Sequence, residues 1–427
     1  MEPDRLSWLP DHVIDNILSY LPITDAVGTS VLSSKWNKKW HTLPSLVFDT
    51  KCAEITPSQD SKFSITKFSK TVDHVLLLHS GPLIKFKICN YNRKLIYVIP
   101  TTDIDRWIFH LMGRSIQTLV LQLQLQERYK IPFGLFSCQS LRDLSLYCCC
   151  LKLPTKFEGF KNLKRLELCQ VTITQDAFEN LISRCPLLES LMLAEIYSIS
   201  LINIHAPNLK DFDISISFED ISFEDTFQLI EVYVDLSLYL NSARNRRLHG
   251  RSSNLLKFFD RQPHIRSLAI HNYFLKYLAA GVVPTKLPTP CIELGCLSLC
   301  INFDDLKEIS AALCLLRSTP NLRTLYISAR NELHDVPWTP VTDAYRWEEI
   351  FSKPETSIQV QNVVMHNISG FQLELDFIRF LLLYSPELEA MDVNAVVNVR
   401  PELVTELIRF KRASANAEVI YNLEDTS

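Results

Sequence analysis

Glycine is scarce in this chain, with 9 glycines among 427 residues, against ordinary usage of about 7%. The closest two, Gly281 and Gly295, are 14 residues apart. The phosphate-binding loops GxGxxG and GxxxxGK[ST] and the nucleophile elbow GxSxG are therefore all absent. Their absence excludes the commonest nucleotide-binding signatures and the α/β-hydrolase signature, and it favours repeat folds and non-enzymatic functions.

Long apolar runs and an excess of either charge are missing as well. The chain has 44 Lys and Arg residues against 48 Asp and Glu residues, so its charge balance favours neither nucleic acid nor a membrane surface as a partner. No stretch reaches the ~18 consecutive apolar residues of a membrane span, and the first residues lack the apolar core of a signal peptide. We therefore expect a cytoplasmic or nuclear protein whose 12 cysteines stay reduced.

The first fifty residues predict three short helices. Apolar residues at positions 9, 13, 14, 17, 18 and 21 recur with the 3.6-residue helical period, and Pro22 ends this helix. Thr24 can cap a second helix over 25–32, and a third helix follows with Trp36 and Trp40. Three helices of this length cannot build a complete core. Many of their apolar side chains must pack on the rest of the chain or on a second protein.

This segment resembles a plant-type F-box. The matching pieces stand in order along the sequence: Leu9-Pro10, Val13-Ile14, Ile17-Leu18, Leu21-Pro22, Asp25-Ala26-Val27, Ser30-Val31-Leu32-Ser33, Lys35-Trp36 and the run 40–49. In that family the F-box docks on the Skp-type adaptor of a cullin–RING ubiquitin ligase. The resemblance implies adaptor contacts by Leu9, Pro10, Ile14, Ile17, Leu18, Leu21, Val31, Leu32 and Trp36. The alternative is a helical cap that packs only on the chain's own core.

The middle of the chain repeats the pattern L-x-x-L-x-L. Clear copies begin at Leu141, Leu163 and Leu188. With looser copies included, the central apolar positions are 119, 144, 166, 191, 212, 230, 268, 297, 325, 363 and 391. Most steps lie near the period of a leucine-rich repeat, about 20–29 residues, and two longer steps mark insertions. Each copy predicts a short strand with its apolar side chains in a shared core, which together form an irregular solenoid.

Each predicted strand also has an outward position, between its two inward apolar residues. Solenoids use such faces as extended binding surfaces, so these positions are candidates for contact with a target protein. The candidates are Ser145, Glu167, Met192, Asp213, Ala269, Ser298 and Tyr326. The alternative is a solvated face without a partner.

The cysteines favour a structural interpretation over a metal site. The run 148–150 and the three cysteines between 291 and 300 lack the paired spacing of a zinc site. In the leucine-rich-repeat consensus an Asn or Cys after the strand ties down the turn, and Cys149 and Asn302 occupy that position. Buried free cysteine behaves as a small hydrophobic residue. We therefore predict neither a metal nor a cofactor.

The C-terminal part resembles the FBD domain that ends many plant F-box/leucine-rich-repeat proteins. A strand around Val363, a turn at Gly370-Phe371, a helix with apolar residues at 373, 377, 378, 381 and 382, and a strand through Met391 match in order. The family's usual Pro-x-Cys-Leu run is absent before the first strand. A final helix is predicted over 401–413, with proline at its first position.

Two charged stretches have no catalytic arrangement. The near-duplication at 216–220 and 221–225 places Glu-Asp pairs at 219–220 and 224–225. Nothing nearby separates their pKa values for acid–base work, so a solvated loop or strand edge is the simpler interpretation. The basic stretch 241–254 contains Arg244, Arg246, Arg247, His249 and Arg251. It is either an exposed loop or a site for an acidic partner or an inositol phosphate.

The predicted fold class is α/β, with a three-helix F-box at 1–49 and a connecting segment with the first irregular repeats at 50–110. A leucine-rich-repeat solenoid follows at 111–345 and an FBD domain at 346–420. The resemblance implies a non-catalytic substrate receptor of a Skp–cullin–F-box (SCF) E3 ubiquitin ligase. Its partners would be a Skp-type adaptor, the cullin–RING scaffold beyond it, and a target protein. The alternatives are an F-box scaffold without a ligase role and a small-molecule sensor that uses a solenoid pocket.

Overall fold

The computed structural model describes most of the chain in two compact units. The described residues are 8–37, 39–49, 52, 61–89, 99–122, 127–237, 253–260, 264–330, 350–355, 357–396 and 402–423. One unit comprises 1–200 with 204–208, and the other comprises 201–203 with 209–427. None of the helices in these described ranges has the length and apolar character that spanning a bilayer would require.

The first unit combines a helical N-terminus with short parallel strands. Its helices are α1 (Asp11–Ser19), α2 (Ile23–Gly28), α3 (Ser61–Leu78), α4 (Thr101–Met112) and α5 (Gln175–Ser183), with 3₁₀ turns at Thr29–Val31, Lys39–Thr42 and Phe133–Ser137. Its strands are β1 (Ser45–Phe48), β2 (Lys85–Cys89), β3 (Thr118–Gln122), β4 (Tyr129–Lys130), β5 (Asp143–Tyr147), β6 (Cys149–Cys150), β7 (Arg165–Cys169) and β8 (Ser190–Ala194).

Prolines set the limits of the two N-terminal helices. Pro10 and Pro22 each hold the extended backbone directly before a helix, because a fixed φ suits the start of a helix and a missing N–H costs nothing there. The predicted cap at Thr24 is therefore wrong, since α2 begins one residue earlier. The third predicted helix is also wrong as an α-helix: Trp36 lies in a turn and Trp40 in a 3₁₀ turn. Both indoles are buried, and the chain extends into β1 soon afterwards.

The first unit's strands form a parallel ladder that aligns the repeats one to one. Leu119 of β3 pairs with Leu144 of β5, Leu144 with Leu166 of β7, and Leu166 with Leu191 of β8. All four side chains are buried, which confirms the predicted inward positions. β1 and β2 precede β3 in the same parallel register. β2 lies where the first irregular repeats were predicted, and only β1 lies before them.

The second unit also combines strands with short helices. Its strands are β9 (Leu201–His205), which lies at the division between the units, β10 (Asp211–Ile216), β11 (Asp220–Glu224), β12 (Glu231–Leu236), β13 (Ser267–Asn272), β14 (Cys296–Ile301), β15 (Thr324–Ala329), β16 (Asn362–Ile368), β17 (Ala390–Ala395) and β18 (Glu418–Leu423). Its helices are α6 (Asn254–Phe259), α7 (Phe274–Leu278), α8 (Leu306–Arg317), α9 (Gln372–Tyr384) and α10 (Glu402–Arg409).

The parallel register of the second unit corrects one predicted repeat. The inward residues pair in the series Phe212, Val232, Leu268, Leu297, Leu325, Val363, Met391 and Val419. The predicted central position 230 is therefore two residues early, since Ile230 precedes β12 and Val232 and Val234 are the buried pair. The predicted positions from 268 to 391 are confirmed, and β18 adds a strand that the pattern missed.

The C-terminal strand–turn–helix–strand order follows the prediction. Gly370 has a φ of +83°, which glycine adopts without a Cβ penalty, and α9 begins two residues later. Glu374 in the first turn of α9 accepts hydrogen bonds from the backbone N–H groups of Ser369, Gly370 and Phe371 at 2.7–3.0 Å. The final helix ends at Arg409, earlier than the predicted 413. Ala413 instead donates its N–H to the Leu382 carbonyl.

Candidate protein-interaction surfaces

The N-terminal module leaves several large apolar side chains in solvent. Val31 is 88% exposed and Tyr20 is 80% exposed. We define the exposed apolar set as Trp8, Ile17, Tyr20, Val31 and Leu32. Single exposed apolar residues are ordinary, but several within one small module are typical of an interaction site.

The predicted adaptor contacts divide into two groups in the structure. Pro10, Ile17, Val31 and Leu32 are exposed, and Leu9 and Leu21 are half-buried. Ile14, Leu18 and Trp36 are buried inside the unit. For these three the expectation of direct contact is corrected, because a side chain inside the chain's own core offers no surface to another protein. They support the module, and contact by the accessible residues stays a prediction.

Ion pairs hold the start of α1 against the segment that carries Trp36. The Lys39 ammonium lies 3.4 Å from Asp11 and 3.7 Å from Asp15. Lys35 lies 3.7 Å from Asp11 and also donates to the Leu9 carbonyl. Each exposed pair stabilises by little, and together they link the start of α1 to the segment around Trp36.

The outward strand positions form straight rows along the parallel ladders. In the first unit Ser145 pairs with Glu167, and Glu167 with Met192. In the second unit Asp213 pairs with Tyr233, Tyr233 with Ala269, Ala269 with Ser298, and Ser298 with Tyr326. We call the residues of this second series the outward row.

These positions differ in how much surface they offer. Tyr326 is 42% exposed, and Glu167, Met192, Asp213, Ala269 and Ser298 are half-buried. Ser145 is buried, as are its neighbours Leu144 and Leu146 in β5. The expectation that Ser145 contacts a target is corrected accordingly, whereas the other positions stay predictions.

Aromatic and acidic side chains gather at the start of the outward row. The rings of Tyr233 and His271 stack with centroids 5.0 Å apart, and the Ser298 hydroxyl lies 3.3 Å from Nε2 of His271. Burial and the neighbouring Asp235 raise the pKa of Asp213. Burial lowers the pKa of His271, against the opposing effect of Asp235. At the start of the outward row, Tyr233 therefore stacks on a neutral imidazole near the carboxyl groups of Asp213 and Asp235.

Tyr233 and His271 are absent from the sequence-based candidates. The weaker copy at Ile230 is placed two residues early and supplies no outward candidate, so Tyr233 is not among the predicted positions. Val232 and Val234 alternate with Tyr233, and this period-2 pattern is the signal that identifies the correct register. His271 lies two residues beyond Ala269 on β13, so it faces the same side.

Polar side chains link the turns after successive strands in the first unit. Cys148, Gln170 and Glu195 follow β5, β7 and β8, and each has a positive φ near 50°. The Cys148 thiol donates to Oε1 of Gln170 at 2.8 Å, and the Gln170 amide donates to Glu195 at 2.8 Å. These links tie one repeat to the next at the ends of their strands.

Of the two predicted turn residues, Asn302 directly follows β14, whereas Cys149 lies in the short strand β6 rather than in a turn. Cys149 is buried and its thiol donates to the Tyr147 carbonyl at 3.0 Å, and burial raises its pKa, which favours an unreactive thiol. The Asn302 side-chain oxygen accepts from the Asp304 N–H at 3.0 Å. Within the described residues no group of three or more His, Cys, Asp or Glu side chains is arranged to hold a metal ion.

Of the two charged stretches, the structure describes the acidic duplication but not the basic residues. In the acidic duplication, Asp220 at the start of β11 accepts from Tyr277 at 2.6 Å and pairs with Lys257. Burial acts to raise its pKa, but these bonds together lower it, so Asp220 serves as a structural anchor at a strand edge. The basic residues Arg244, Arg246, Arg247, His249 and Arg251 lie outside the described residues.

Comparison with known proteins agrees with this architecture. The F-box domain family matches residues 6–48, and the family described as "FBD-associated F-box protein At5g56370, LRR repeats" matches residues 104–327. The F-box/FBD/LRR-repeat protein At1g13570 of Arabidopsis thaliana is 37% identical over 98% of this chain and 98% of its own length. This chain belongs to the F-box/FBD/LRR-repeat protein family.

More distant relatives cover nearly the same span. The FBD-associated F-box protein At5g56370 of Arabidopsis thaliana is 25% identical over 98% of this chain and 100% of its own length. The F-box/LRR-repeat protein At3g03360 of the same plant is 24% identical over 90% of this chain and 85% of its own. The repeat match of this F-box/FBD/LRR-repeat protein begins within α4 and ends within β15. It therefore covers the strands of most outward positions.

Proposed function

We propose that this F-box/FBD/LRR-repeat protein is the substrate-recognition subunit of an SCF E3 ubiquitin ligase. In this proposal the F-box binds a Skp-type adaptor, which connects it to a cullin–RING scaffold, and the repeats bind a target protein. The observation that carries the proposal is an F-box match at 6–48 whose module keeps large apolar side chains exposed. A desolvated apolar contact is what an obligate adaptor interface needs.

The proposed mechanism is proximity rather than chemistry by this chain. Holding the target beside a charged conjugating enzyme turns an encounter between two proteins into a reaction within one complex. The bond-forming groups would belong to other subunits, so the chain is proposed to be non-catalytic. Such a receptor would act in the cytoplasm, the nucleus or both.

The outward row is the proposed contact surface for the target. Aromatic side chains are enriched among residues that dominate binding energy, and Tyr326 and Tyr233 are the aromatic members of the row. Tyr326 is well exposed, and Tyr233 is positioned by its stack on His271. A row of strand residues with aromatic anchors suits contact with a folded or extended segment of another protein.

Separate surface variants of the full chain test the two halves of the proposal. Combining Val31→Asp with Leu32→Asp should release the adaptor while the target stays bound and rises in abundance. Tyr326→Ala should release the target while the adaptor stays bound. Val282→Asp is the matched control, because Val282 is an exposed valine of the second unit.

The same variants separate the alternatives. A scaffold without a ligase role predicts that releasing the adaptor leaves target abundance unchanged. A small-molecule sensor predicts that the purified chain binds its target only when a low-molecular-weight extract is present. Target binding that survives Tyr326→Ala and Tyr233→Ala together would contradict the outward row as the contact surface.

A further inference from the structure

A cavity of about 670 Å³ lies between α2 and α3 of the first unit. This volume falls within the ~300–1,000 Å³ of pockets that hold small molecules. Its lining comes from the F-box helix on one side and from the middle of α3 on the other.

The floor of the cavity is apolar. Ile23, Trp40 and Val75 are buried side chains that still border the open space, and Val27 of α2 adds a further branched side chain. Gly28 also borders the cavity, and a Cβ there would meet no neighbouring atom within 4 Å. An apolar ligand group placed here would leave water for a hydrophobic surface that the fold itself leaves uncovered.

The α3 side of the cavity is basic. Lys67, Lys70 and His74 recur at spacings of three and four residues, which places them on one helix face. None of the described residues that line the cavity is acidic. Asp73 of the same helix is directed elsewhere, since it pairs with Arg106 at 2.6 Å and accepts from the Trp107 indole at 2.7 Å.

We propose that this cavity binds a small amphipathic anion. The apolar body of the ligand would lie against Ile23, Val27 and Trp40, and its anionic group would face Lys70. The charge complementarity selects a carboxylate or a similar anionic group over an ammonium or a neutral head. This site lies on the F-box side of the unit, apart from the outward row, and its occupancy does not depend on the proposed ligase role.

The test uses the full chain and decanoate below its micelle concentration, titrated by isothermal calorimetry. Decylamine and decanol are matched probes with the same chain length and a cationic or neutral head. We expect decanoate to bind at least ~10-fold more tightly than either, a difference of about 1.4 kcal/mol. Equal binding of the three probes, or no binding of decanoate, would overturn the proposal.

Two variants locate the site. Gly28→Leu places a side chain into the open space and should abolish decanoate binding. Lys70→Glu should weaken it at least ~10-fold, whereas Lys152→Glu, an exposed lysine outside the cavity lining, should leave it unchanged. Thermal unfolding of each variant checks the fold. Decanoate binding that survives Gly28→Leu, or that falls equally in both lysine variants, would place the anion elsewhere and refute the assignment.

Discussion

The buried pair of Glu308 and Arg330 offers a quantitative test of the second unit. The Glu308 side chain has no exposed surface and that of Arg330 is 10% exposed. One Glu308 oxygen accepts from the Arg330 guanidinium at 2.7 Å, and the other accepts from the Asn302 N–H at 3.0 Å. The guanidinium also lies over the Tyr273 ring, 4.4 Å from its centroid. Glu308 therefore joins α8, the end of β14 and the residue after β15.

Glu308→Ala should destabilise the unit by about 3–5 kcal/mol, because it leaves a buried guanidinium without its carboxylate. The Asn302 N–H would also lose its acceptor, a loss of about 1–3 kcal/mol that overlaps with the first. Adding Arg330→Met removes the buried charge and should recover a large part of the loss. The strands that Glu308 anchors include β14, so the variant should also loosen the part of the outward row around Ser298.

Urea unfolding followed by circular dichroism measures this change, and hydrogen exchange of peptides from α8, β14 and β15 localises it. Glu406→Ala is the matched control, since it breaks an exposed pair with Arg409 in α10 and should barely shift the midpoint. If Glu308→Ala and Glu406→Ala shift the midpoint equally, the argument from burial is refuted. A double variant no more stable than Glu308→Ala would show that the cost is not the unpaired charge.

Two further predictions concern stability. Burial raises the pKa of Glu374 from 4.5 to about 7, so ionisation of this carboxyl group opposes folding. The free energy of unfolding is therefore highest below pH 4.5 and declines by about 3 kcal/mol as the pH rises through 7. Glu374→Gln should remove that decline in urea titrations at pH 5 and pH 8, and an unchanged pH profile would contradict this cause. Gly159→Ala should cost about 1–3 kcal/mol, because φ is +91° and the new Cβ would clash with the Arg184 carbonyl oxygen. Gly28→Ala, with open space around it, is its control in thermal melts, and equal melting temperatures would refute the steric argument.

The strand pattern of the repeats was predictable because it depends on local alternation. Leu144, Leu166 and Leu191 each stand at the centre of an L-x-x-L-x-L copy, and the ladder pairs them directly. The register of this repeat was predicted wrongly because Ile230, an apolar residue, lies directly before β12. Two strand registers therefore fit the same short sequence. The segment of β1 was predicted as part of the F-box, in agreement with the family match, but its pairing with β2 was not predicted, because a four-residue strand carries little pattern of its own.

Burial and tertiary neighbours were less predictable. The helical period marks Ile14, Ile17 and Leu18 as apolar positions, but only packing decides that Ile14 and Leu18 face the interior and Ile17 faces solvent. The stack of Tyr233 on His271 joins residues on either side of a long insertion. The cavity between α2 and α3 likewise depends on how two distant helices pack, which a single sequence does not encode locally.

The most direct test of the proposed role is a titration of the purified full chain with a purified Skp-type adaptor. Val31→Asp should weaken adaptor binding at least ~30-fold, the equivalent of about 2 kcal/mol at an interface hot spot. Val282→Asp should bind as the wild type does, and both variants should melt like the wild type. Adaptor binding that is absent from the wild type, or unchanged by Val31→Asp, would contradict the account.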